Sequence, residues 1–77
     1  MSLVVLQDYK GVQVGAYLEI NEGGGLGQAV KIIIRVESVV HGEKYGVEHV
    51  VDICVPVEWQ VEYAVRAHKE RVHGLAT

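Results

Sequence analysis

The sequence predicts an α+β domain: an antiparallel β-meander of three or four strands, with one C-terminal amphipathic helix packed on one face. Three observations carry this expectation. Apolar residues alternate with polar ones over 12–20, 30–36 and 47–55, the period-two signature of half-buried strands. Glycine-bearing polar breaks separate these runs, as hairpins require. After the single proline, Pro56, the apolar period changes to that of a helix.

Leu3–Leu6 is a short apolar run of β type, followed by Gln7–Gly11, where Asp8 and Gly11 suit a turn. Val12, Val14, Ala16, Leu18 and Ile20 then define one face of a strand, and Gly15 within it suggests a bulge or a close backbone approach. Asn21–Gly27 reads as a loop. A long strand over 28–40 places Val30, Ile32, Ile34 and Val36 on one face and Lys31, Ile33, Arg35 and Glu37 on the other. His41–Gly46 reads as a polar hairpin loop. A last strand sets Val47, His49, Val51, Ile53 and Val55 against Glu48, Val50, Asp52 and Cys54. Pro56 cannot donate to a ladder and suits a helix start, so the helix is expected from Pro56 to His73, with Gly74 at its end. At 100° per residue, Val57, Val61, Ala64, Val65, His68 and Val72 form its apolar stripe. Trp59 and Tyr63 point the other way, in the company of Arg66. The second architecture compatible with this pattern is a small SH3-like or OB-like barrel with an appended helix, its curvature supplied by Gly15 and the long strand.

The expected core is Val12, Val14, Leu18, Ile20, Ile32, Ile34, Val36, Val51, Ile53, Val61, Val65 and Val72. Residues 1–77 are too few for more than one domain. Chains this short lean on disulfides, metals or partner chains for stability. Cys54 is the only cysteine, so no internal disulfide can form. The net charge of −3 argues against a general nucleic-acid binder. The basic residues that do cluster are Arg66, Lys69 and Arg71, in the helix. No segment reads as a targeting signal or a membrane span, and a cytoplasmic setting is expected.

Each candidate for chemistry has a plainer reading. Gly23, Gly24, Gly25 and Gly27 resemble a phosphate loop only in composition: a strand follows them where a helix N-terminus is required. They are expected to form a mobile loop able to close over a ligand. His49 and His68 are the one histidine pair expected to meet, as a buried polar pair facing one core. No metal set with ligand spacing exists, and no cofactor is expected. Cys54 is expected in a strand, packed and inert. Glu19, Glu37, Glu48 and Asp52 share the non-core face with Lys31 and Arg35, so cross-strand charge pairing accounts for them. No catalytic residue is assigned.

Trp59 and Tyr63 carry the most information. The outer side of a helix on a small sheet should be polar, and large aromatics there mark an interface. With Arg66, and with Tyr17 and Ile33 on the other sheet face, they are the expected contact residues. The function expected is a homo-oligomeric binding or interaction module, most simply a dimer, without catalysis of its own. An oligomeric enzyme or ligand-binding protein with its site between subunits is the first alternative. A nucleic-acid accessory protein using the basic helix end is the second. Amide exchange at Gly23–Gly27 should be fast in the free protein, because glycine-rich chain retains high conformational entropy. Strong protection there would show a packed or liganded loop instead.

Overall fold

A computed structural model describes residues 2–21 and 31–76. The glycine loop expected at 23–27 lies outside them. The elements run β1 (Ser2–Tyr9), β2 (Val12–Asn21), β3 (Lys31–Val40), β4 (Glu43–Val50) and α1 (Val57–Ala76). The four strands form one antiparallel sheet in the order β1-β2-β3-β4, with α1 packed on one face. The sheet stays open, with β1 and β4 at its two edges, so the barrel is excluded.

Two turns of the meander lie among the described residues. Lys10 and Gly11 join β1 to β2, and His41 and Gly42 join β3 to β4. In each pair both residues have positive φ, 52° and 81° in the first and 51° and 81° in the second. This is the two-residue turn whose twist matches that of the flanking strands. The broader turns expected at 7–11 and 41–46 therefore shrink to two residues, and the released residues extend β1 and β4. Gly15 holds no bulge. The Tyr17 ring lies over it, and a Cβ at Gly15 would stand 3.1 Å from the Tyr17 hydroxyl. The bulge is in β1, between Leu3 and Val5.

β4 ends at Val50, five residues before the expected Val55. The Val51 N–H still donates to Ile32 O at 2.8 Å. Asp52 then turns the chain: its Oδ1 accepts the Cys54 N–H at 2.9 Å, and its carbonyl accepts the Val55 N–H at 3.2 Å. A short carboxylate that bonds the backbone two residues on competes with the ladder. Ile53 consequently leaves the core and is 93% exposed. Cys54 is exposed in the turn, contrary to the packed position expected. At the other end, α1 runs past Gly74 to Ala76. An interior glycine costs a helix about 1 kcal/mol, and the buried Val72 just before it anchors the last turns.

The core lies between α1 and the two middle strands. Val14 and Ala16 of β2, Ile34 and Val36 of β3, and Val61, Ala64 and Val65 of α1 make one cluster, with Val5, Tyr9, Leu18 and Val51 packed around it. Six of the twelve expected core residues are buried: Val14, Ile34, Val36, Val61, Val65 and Val72. Val12, Leu18 and Val51 are half-buried. Ile20 and Ile32 oppose each other across β2 and β3, at the sheet end where the helix begins, and are 66% and 38% exposed. Ile34→Ala should cost about 2–5 kcal/mol by leaving a cavity, whereas Ile53→Ala should stay within about 0.5 kcal/mol of wild type. Urea denaturation of both variants checks the contrast.

Candidate functional site

The strand register assigns each polar side chain to a face. Ile34 is opposite His49, Val36 opposite Val47 and Ser38 opposite Tyr45, all on the helix side. Arg35 is opposite Glu48 in β4 and Tyr17 in β2, on the open side. There Arg35 becomes a hub. Its Nε donates to Glu48 Oε1 at 3.1 Å, with ion pairs to Glu19 at 3.4 Å and Glu37 at 3.9 Å. The hydrogen bond to Glu48 is the main cause holding the guanidinium above its ordinary pKa. Lys44 adds an ion pair to Glu37 at 3.5 Å. The carboxylates expected to pair across strands do so, except Asp52, which left the sheet for its turn. Tyr17 and Ile33 are half-buried on this same face.

On the helix side, His49 and His68 do not pair. His49 is exposed on the edge strand. His68 lies in the apolar stripe of α1, seven residues after Val61, and is 2% exposed. Its Nε2 stands 2.8 Å from Ser38 Oγ. Ser38, itself 3% exposed, continues the parity of Ile34 and Val36 into the core. That parity was the available signal for this partner. His68 Nδ1 is buried with no hydrogen-bond partner among the described residues. The tautomer protonated at Nε2 donates to Ser38 and leaves a bare acceptor at Nδ1, a lesser cost than a bare buried N–H. A serine and a histidine this deeply enclosed offer no route to a substrate, so the pair is structural.

Gln60 was not singled out in the sequence, yet it ties the turn to the helix. Its Oε1 accepts the Asp52 N–H at 2.9 Å, and its Nε2 donates to the carbonyls of Asp52 and Val55, both at 2.8 Å. No sequence signal marks it, because the period-two alternation runs on through the turn that it clamps.

Two open hollows flank α1. On the β4 side, Trp59 and Tyr63 rise from the outer side of the helix, 67% and 69% exposed. With His49, Val50, Val55, Gln60 and Ala64 they line a hollow of about 390 Å³. On the β1 side a groove of about 650 Å³ runs between β1 and α1. Its apolar lining is Val4, Val5, Leu18, Val57, Val61 and Val65, and its helix rim is Glu58, Glu62, Arg66 and Lys69. The structure thus brings Trp59 and Tyr63 together and sets Arg66 on the other flank, 3.3 Å from Glu62. Beyond the groove, Lys10 and Lys69 each stand 5.7 Å from the centre of the Tyr9 ring. Lys10 Nζ reaches His73 Nδ1 at 2.7 Å.

Among the described residues, no group of three or more His, Cys, Asp or Glu side chains is placed to hold a metal. No helix among them is long and apolar enough to cross a membrane. No protein-family model, curated protein or solved structure matches the chain.

Burial, with a smaller contribution from Arg71, pushes the His68 imidazole below its ordinary pKa. The unfolded chain therefore binds this proton more readily than the folded one. The stability His68 contributes is full above the unfolded value of about 6.5 and is lost as pH falls from there toward the lower folded value. Thermal denaturation from pH 7.5 to 5 should show falling Tm in wild type and a flatter profile in His68→Gln. A slope unchanged in His68→Gln would assign the pH response to other groups.

Proposed function

We propose that this domain is a homo-oligomeric binding and interaction module with no catalytic activity of its own. The observation that carries the reading is the exposure of Trp59 and Tyr63, one helical turn apart beside an open, mainly apolar hollow. Val50 and Ile53, 64% and 93% exposed, belong to the same end of the molecule. A monomer gains nothing by holding its only tryptophan in water. Aromatics in that position are the residues that dominate contact energies when a second surface covers them. A two-fold axis lets one patch bury itself against its own copy.

The nucleic-acid reading gains one observation, since the β1–β2 turn adds Lys10 to the basic end of the helix, beside Lys69 and His73. Three or four cations release few counterions, so this surface supports weak, strongly salt-dependent contact at most.

Sedimentation equilibrium tests the main reading. Wild type should associate well below ~100 μM, and Trp59→Glu should shift the midpoint to higher concentration by tenfold or more, because a charge would be buried in the contact. A wild type that stays monomeric at ~100 μM overturns the proposal, since so weak a contact could stabilise the fold only slightly by mass action.

A further inference from the structure

The two edge strands differ in chemistry. An unpaired edge offers its outward N–H and C=O groups to any incoming strand, and proteins guard such edges with charge. β4 is guarded: Glu43, Lys44 and Glu48 occupy three of its eight positions. β1 has no charged side chain from Ser2 to Gln7, and Leu3, Val4 and Leu6 along it are 52%, 44% and 55% exposed. The bulge between Leu3 and Val5 adds to this. Leu3 stands opposite Tyr17 and Leu6 opposite Gly15, so both leucines share the open face of the sheet. Val5, opposite Ala16, faces the helix side, where Val4 and Val5 line the groove.

The groove rim supplies an independent observation. Along α1 it reads Glu58, Glu62, Arg66, Lys69, acidic in its first half and basic in its second. A copy of this rim running the opposite way is its electrostatic complement.

We propose that β1 pairs antiparallel with β1 of a second copy, about a two-fold axis perpendicular to the sheet, in a contact separate from the Trp59–Tyr63 patch. The proposal rests on the reading that the chain associates with itself. Such an axis keeps both helices on the same side of a continuous eight-stranded sheet and makes them antiparallel. The two grooves then open into one trough, with the acidic half of each rim facing the basic half of the other. On the opposite face, Leu3 and Leu6 of one copy meet Leu6 and Leu3 of the other. Parallel pairing would put the two helices on opposite faces of the joint sheet, where the rims could not meet, so it forgoes this charge complementarity.

Two sets of variants test this in the full chain, with far-UV circular dichroism confirming that each is folded. Leu6→Lys is at an exposed position and guards the edge. It should halve the limiting mass of wild type or of Trp59→Glu by sedimentation equilibrium. The rim gives the second test. A Glu58→Lys, Glu62→Lys variant has an all-basic rim, and an Arg66→Glu, Lys69→Glu variant an all-acidic one. At low salt each alone should associate about tenfold or more weakly than wild type, and an equimolar mixture should recover the association. The proposal is overturned if Leu6→Lys leaves both masses unchanged, or if the two rim variants associate with themselves as well as wild type does. A monomeric wild type would remove the oligomer reading too. A wild-type oligomer sensitive to Trp59→Glu alone would remove only this contact.

Discussion

One helix, about 10 Å across, cannot cover four strands that lie about 4.8 Å apart. That mismatch governs the rest of the structure. The stripe of Val61, Ala64, Val65, His68 and Val72 settles over β2 and β3, where Val14, Ala16, Ile34 and Val36 meet it. The helix-facing sides of β1 and β4 are left as shoulders. Each shoulder becomes a hollow: the valine-lined groove beside β1 and the Trp59–Tyr63 hollow beside β4. Neither is a defect of packing at one residue. Both follow from setting a single helix on a four-stranded meander.

The open face of the sheet is held by different means. Arg35 sits on a middle strand with carboxylates on its own strand and on both neighbours. Each pair is partly solvated and contributes little alone. Together they fix register, since a slip of one residue would carry Arg35 to the core side and bring an apolar neighbour out. The burial pattern and the charge pattern therefore specify the same alignment of β2, β3 and β4. This agreement between levels is what a unique fold requires.

Much of this was legible in the sequence because period two reports which face a side chain takes. It does not report how far along a strand the covering helix reaches. Ile20 and Ile32 have the parity of core residues and lie where the helix has only begun. Ile53 has the parity of a core position in a strand that has already ended, because Asp52 bonds the backbone two residues on instead of the ladder. The helix N-terminus was legible from Pro56, whose carbonyl accepts the N–H of Trp59 and of Gln60. Its C-terminus was not, because tertiary anchoring by Val72 outweighs the modest preference of Gly74. Of the candidate site, Trp59 and Tyr63 stood out as large aromatics on an outer helix face. The Ser38–His68 bond did not: parity puts Ser38 on the core face, but its meeting with His68 depends on how α1 lies across β3.

The two self-contacts we propose would have a geometrical consequence. Strand pairing at β1 would use an axis perpendicular to the sheet. Burial of Trp59 and Tyr63 against their copies would use a second two-fold near the opposite edge. If the two axes intersect at right angles, four chains close into a symmetric tetramer. If they do not intersect at all, each added chain presents an unsatisfied patch and the assembly grows as a filament. The guarded chemistry of β4 bears on that choice. Glu43, Lys44 and Glu48 oppose direct strand pairing at the second edge, so a contact there would run through side chains of the helix and the turn. Side-chain contact tolerates a wider range of crossing angles than a hydrogen-bonded ladder does. The combination of one ladder-competent edge and one guarded edge thus permits closure, whereas two bare edges would extend the sheet without limit.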